Sequence, residues 1–151
     1  MSTDDRQLLQ QARNSLANYL ARRDHSELEL RQKLKRRYAA DLIEQVITEA
    51  QERGWICPPD ELALRVAQQL NRKKKGYLYI AKYLKQRGLP PPQADHDTEV
   101  DKAIDLIHTL VPEAGTCALT FEQKQKAYRQ LQRRGFEDPI IREALHRPSK
   151  P

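Results

Sequence analysis

Ser26-Glu-Leu-Glu-Leu-Arg-Gln-Lys-Leu34 contains a helix together with its own start signal. Ser26 and Glu29 stand three apart, the spacing of a capping box. In that motif each side chain satisfies a backbone N–H left open in the first helical turn. Leu30 and Leu34 follow at i, i+4 and make one apolar face. The pattern then recurs. Gly76 precedes Ile80 and Leu84, and Gln123 precedes Ala127 and Leu131, at the same two spacings. The register extends outward on both sides. Leu20 stands six before Ser26, and Leu70 six before Gly76; Leu16 and Ala17 correspond to Val66 and Ala67. Downstream, Arg37, Arg87 and Arg134 take equivalent places, and Arg87-Gly-Leu89 nearly repeats as Arg134-Gly-Phe136. Such self-similarity marks a repeat architecture, in which short units bury a shared core by stacking.

Within the first repeat, Leu16, Ala17 and Leu20 form one stripe, and Leu42, Ile43, Val46, Ile47 and Ala50 the clearest one. Asp41-Leu-Ile-Glu44 has capping-box spacing, and Gly54 suits a helix stop. Residues 14–56 therefore read as three helices. In the third repeat a first helix is expected over Glu99–Leu110, with Ile104, Ile107 and Leu110 inward. A last helix is capped by Asp138, carries Pro139 at its first position and pairs Ile141 with Leu145. Two segments fit poorly. Residues 90–97 carry three prolines where the second repeat needs its third helix, which is therefore short or irregular; Val111–Leu119 reads as an extended loop. The expected organisation is an N-terminal extension (1–13), repeats at 14–56, 57–97 and 98–147, and a disordered tail (148–151). The fold class is all-α: three tandem three-helix repeats stacked into an elongated, curved body.

Composition agrees with this reading. The 151 residues are 32% charged and only 6% aromatic, which suits helices better than a sheet sandwich. No window approaches the length of a membrane span, and Met1-Ser-Thr-Asp-Asp-Arg6 lacks the apolar stretch of a signal peptide, so a cytoplasmic protein is expected. Cys57 and Cys117 have no partner motif; two free thiols are expected, with no metal and no cofactor. The four histidines are scattered, and His25, in a turn before Ser26, reads as structural. No nucleotide-binding, zinc-protease or hydrolase motif is present, and no enzyme is expected.

The net charge of +6 points to negatively charged partners, and its placement is uneven. Residues 62–94 contain no Asp or Glu but hold eight cations, among them Arg72, Lys73, Lys74, Lys75, Lys82, Lys85 and Arg87. Tyr77, Tyr79 and Tyr83 lie among them. Their rings can stack on bases, but helical spacing beside Ile80 and Leu84 favours the core. Further basic sets are Arg22 with Arg23, then Arg31, Lys33, Lys35, Arg36 and Arg37, and finally Arg129, Arg133 and Arg134. If the repeats stack in register, the arginines late in each middle helix line up along one side as an extended basic ridge.

Arg22-Arg-Asp-His-Ser-Glu-Leu-Glu-Leu-Arg-Gln-Lys-Leu34 also resembles the signature of the RecX family: a basic pair, His-Ser, Glu-Leu, Lys-Leu. Lys75-Gly-Tyr77 through Arg87-Gly-Leu89 is similar to that family's second module, and Leu131-Gln-Arg-Arg-Gly-Phe136 with Ile141 and Leu145 to its third. The likeness covers residues 14–146 and departs at Gly54-Trp-Ile-Cys-Pro-Pro-Asp60-Glu-Leu-Ala63, longer by two or three residues, and at 90–97. The resemblance implies an all-helical monomer that binds RecA, alone or as a filament on single-stranded DNA. It would inhibit ATPase and strand exchange and so modulate recombination, DNA repair and the SOS response. The basic side chains would be its contacts. On that reading DNA alone is bound weakly. The alternative is an autonomous basic helical module for DNA or RNA.

Overall fold

A computed structural model describes residues 2–115 and 118–146. They form eight α-helices and one 3-10 turn, with no strand among them. Cys117 and the tail 148–151 lie outside the described residues.

The helices are α1 (Thr3–Arg22), α2 (Glu27–Leu34), α3 (Ala40–Glu52), α4 (Pro59–Arg72), α5 (Tyr77–Gln86), α6 (His96–Leu110), α7 (Phe121–Arg133) and α8 (Asp138–His146). The middle repeat lacks its third helix, since none lies between α5 and α6. Proline at 90–92 explains this: each ring removes an N–H donor and pushes the preceding residue out of the helical region. The chain divides into two compact units, not three. One holds the residues up to Ala63 together with Gln86–Pro90; the other holds Leu64–Lys85 and the residues from Pro91 onward. The middle repeat is thus no unit of its own, because α4 and α5 are each divided.

The first unit is built on α1, α2 and α3. The segment before residue 14 is not an extension: α1 begins at Thr3, capped by Ser2 and Asp5, and buries Leu9, Ala12 and Leu16. Ala17, placed in the stripe, is exposed, because the buried face runs at i, i+3 and i+7 from Leu9. These residues meet Leu30, Leu34, Ile43, Val46, Ile47 and Ala50 in one core. Arg13 closes the α1–α3 seam with a two-pronged bond to Glu49, 2.7 and 2.8 Å. The Ser26–Glu29 capping box forms as expected. That at Asp41 does not: Ala39 is the N-cap and makes no side-chain bond. Asp41 falls one step inside the helix, where its charge faces the positive helix end without capping it. Gly54 ends α3 at φ +71°, with Gly54 N–H donating to Gln51 and Trp55 N–H to Ala50. These are the paired bonds of a left-handed helix stop.

The second unit is organised by α6, which starts three residues earlier than expected because Asp95 caps it through Thr98. Val100, Ala103, Ile104 and Ile107 pack with Leu131, Phe136, Ile140 and Ile141 from α7, α8 and their turn. Each fully buried aliphatic side chain of this kind contributes about 1.5–3 kcal/mol of transfer free energy.

Candidate polyanion-binding surface

Two basic turns meet in the second unit. The first follows α4. Lys74 sits at φ 58°, the left-handed position that glycine holds at the ends of α3 and α7. Lys74 N–H donates to Asn71 and Lys75 N–H to Leu70, so the turn has the same bonding as the Gly54 stop. A side chain in this conformation costs about 1–2 kcal/mol. The second turn follows α7, where Gly135 has φ +90°.

The turns are bonded to each other through the backbone. Gly76 N–H donates to Arg134 O (2.8 Å) and Leu78 N–H to Gly135 O (2.9 Å). The Arg134 guanidinium also donates to Lys73 O (3.2 Å). No side chain fits between them: a Cβ on Gly76 would lie 2.3 Å from Gly135 C, and one on Gly135 2.5 Å from Tyr79 N. From the far side Lys102 donates to Lys75 O (2.7 Å) and Asn71 Oδ1 (2.6 Å). Its partner Glu99 accepts from Tyr77 N–H (2.6 Å) at the start of α5. Glu99 and Lys102 form an ion pair whose side chains are each 8% exposed.

This construction gathers Arg72, Lys73, Lys74, Lys75, Arg133 and Arg134. Arg72, Lys73 and Arg133 are exposed, and their side chains make no ion pair among the described residues. Lys74 is bound to Asp105 (2.9 Å). Lys82 and Lys85 extend the charge along α5, both exposed. Tyr79 is not in the core: it is 38% exposed, while α5 buries Ile80 and Leu84. Tyr77 is half-buried and donates its hydroxyl hydrogen to Pro92 O (3.0 Å).

The basic residues of the first unit have a different fate. Arg23 pairs with Glu29 (2.6 Å), and Arg87 approaches the same carboxylate at 3.8 Å. Burial tends to raise the pKa of Glu29, but the bonds from Arg23 and from Ser26 N–H outweigh it and hold the carboxyl below its ordinary range. Arg31 is tied to Glu44 (2.9 Å) and Glu27 (3.5 Å). Lys33 donates to His25 Nε2 (2.7 Å) and lies over the Tyr19 ring. Of the expected contact residues, Arg23, Lys33 and Arg87 are therefore engaged at the turn between α1 and α2, and Arg31 ties α2 to α3. Arg22, Arg36 and Arg37 stay exposed, Arg37 over the Tyr38 ring. Sequence reasoning gave Glu29 only its capping role and gave none to Asn71, Glu99 or Lys102. The i, i+3 spacing of the last two was visible, but their burial was not.

His25 is buried at 2% exposure between these groups. Its Nδ1 bonds to Arg23 O (3.0 Å), which leaves Nε2 to accept from Lys33. Burial holds its pKa below the ordinary histidine value against the bond to the Arg23 carbonyl; the charges of Arg23 and Lys33 reinforce burial, and Glu29 opposes it. A folded-state value below the unfolded one means the unfolded chain binds the extra proton. The stabilisation is complete above about pH 6.5 and is lost as pH falls through the folded value. Urea denaturation should show stability falling below pH 6.5 by up to about 1.4 kcal/mol per pH unit. His25→Gln should flatten that limb; an unchanged slope in the variant would remove His25 from the account.

The family description "RecX, first three-helix domain" matches residues 12–49, and "RecX, third three-helix domain" matches residues 97–145. The chain belongs to the RecX family. RecX proteins are regulatory. The RecX crystal structure from Lactobacillus salivarius superposes with a TM-score of 0.75 at 19% identity, covering 93% of this chain and 96% of that one. A crystal structure of regulatory protein RecX gives 0.73 at 17% identity, covering 91% of this chain and 72% of that one. At these identities the likeness is one of fold. A search among curated proteins returns no match. No helix among the described residues is long and apolar enough to cross a membrane, and none of their His, Cys, Asp and Glu side chains cluster to hold a metal ion.

Proposed function

We propose that this protein binds the recombinase RecA, alone and as a filament on single-stranded DNA, and inhibits its ATPase and strand-exchange activities. In doing so it modulates recombination, DNA repair and the SOS response in the cytoplasm. It acts as a monomer by occupying a surface and transforms no substrate. The observation that carries this reading is the match of two RecX three-helix domains. The paired basic turns support it physically. Arg72, Lys73 and Arg133 are cations the fold does not use, set on a backbone bonded from both sides. Such a group suits an anionic surface, and its charge contributes affinity that falls with salt.

The test is single-stranded-DNA-dependent RecA ATPase with increasing amounts of this protein. Inhibition should saturate near stoichiometric ratios. Charge reversal at Arg72→Glu, Lys73→Glu and Arg133→Glu should raise the half-inhibitory concentration by about tenfold or more and flatten its salt dependence. Undiminished inhibition by the triple variant would remove these residues from the interface. A wild-type chain without effect on the ATPase would overturn the function.

A further inference from the structure

The flank of α5 carries an arrangement that recombinase binding leaves unexplained. Lys75, Tyr79 and Tyr83 follow one another at i, i+4 and form a ladder along the helix. The two rings stack with centroids 6.2 Å apart and planes inclined by 26°, and the Lys75 ammonium lies 4.9 Å from the Tyr79 centroid. The Tyr79 ring is solvent-facing although the hydrophobic positions of its own helix are filled by Ile80 and Leu84. It is also held in place, because its backbone abuts Gly135 at a distance that admits no side chain. The backbone of Lys75 is fixed by Lys102, so only its flexible four-carbon stem is free to move. Around the ladder the segment 62–94 holds cations and no carboxylate.

We infer that Tyr79 and Tyr83 form a stacking platform for the unpaired bases of a single-stranded nucleic acid, with Lys75 and the adjoining basic turns on its phosphates. An incoming base takes the place of the Lys75 ammonium over the Tyr79 ring, and that ammonium swings to the phosphate of the same nucleotide. The exchange keeps a partner on the aromatic face and pairs the cation with a full negative charge. An acidic protein segment satisfies the cations but leaves the rings without a flat partner, so the aromatic part of the surface selects for bases. This goes beyond recombinase inhibition and is measured without recombinase, so either reading can fail alone.

The full-length chain is titrated at low salt against fluorescein-labelled dT15 and against an abasic 15-mer with the same phosphates. An rU15 arm reports whether ribose is accepted as well as deoxyribose, and poly-L-glutamate serves as competitor. The expected result is binding of dT15 about tenfold tighter than the abasic strand. That preference is lost in Tyr79→Ala/Tyr83→Ala and kept in Tyr79→Phe/Tyr83→Phe, which retains the π faces and controls for folding. Equal affinity for dT15 and the abasic strand, displacement of dT15 by polyglutamate as readily as of the abasic strand, no binding of either strand, or a preference surviving in the alanine variant would each overturn the platform.

Discussion

Replacing Gly135 with alanine lowers the melting temperature by roughly 10 °C, read by far-ultraviolet circular dichroism. Two costs add. The backbone at Gly135 has φ +90°, where a side chain costs about 1–2 kcal/mol. The new methyl group would also lie 2.5 Å from Tyr79 N and 2.6 Å from Tyr79 Cβ. Relieving that overlap means separating two backbones joined by the Gly76–Arg134 and Leu78–Gly135 bonds. Overpacking of this kind costs a further 1–3 kcal/mol or so. A total on the order of 3 kcal/mol corresponds to the stated shift for a chain of this size. Gly54→Ala is the internal control. Its φ is +71°, but nothing lies within 4 Å of the added Cβ, so only the conformational cost remains, about 3 °C. Equal shifts in the two variants would show that the close approach of the turns does not govern stability.

Lys102→Met destabilises the chain by about 3 kcal/mol in urea denaturation, a second large effect with a different origin. Methionine fills much of the same space and places an apolar end near the Phe136 ring, where the ammonium lies 5.7 Å from the centroid, so packing is largely retained. What is lost is the charge that balances Glu99, whose side chain is 8% exposed, and the two bonds to Asn71 and Lys75 O. An unpaired buried carboxylate is the costly species. Adding Glu99→Gln to Lys102→Met should therefore recover part of the loss, although each single change destabilises. The Gln amide oxygen can still accept from Tyr77 N–H, so the start of α5 keeps its cap. Strict additivity of the two changes would mean that the pair is not coupled.

These two sites show where local pattern stopped being informative. The Ser26 capping box and the Gly54 stop involve residues three to five apart, and both were legible because their partners are neighbours in the chain. Asp41 satisfied the same spacing rule, but the chain enters α3 at Ala39, and the choice of entry point is made by how α3 packs on α1. The basic residues could be counted but not sorted. Arg31 finds its acid 13 residues away and Arg23 finds Glu29 six away, across a turn whose geometry no spacing encodes. Spacing beside Ile80 and Leu84 points the tyrosines of α5 to the core, yet Tyr79 is 38% exposed, because one step of 100° around a helix separates a buried face from a flank.

Taken alone, the order of residues determined that the chain is helical, that its motif occurs three times and that its charge is concentrated in one stretch free of acids. Periodicity, caps and breakers act within a few residues, so each is written locally. The tertiary structure decided that the middle repeat is divided between two units. It also brought the turn at Lys73–Gly76 against that at Arg134–Phe136, and it separated the cations that hold the fold from Arg72, Lys73 and Arg133, which stay exposed. The physical reason is the same in each case: burial, charge pairing and backbone approach depend on distances in space between residues tens of positions apart, and those distances exist only once the helices have packed.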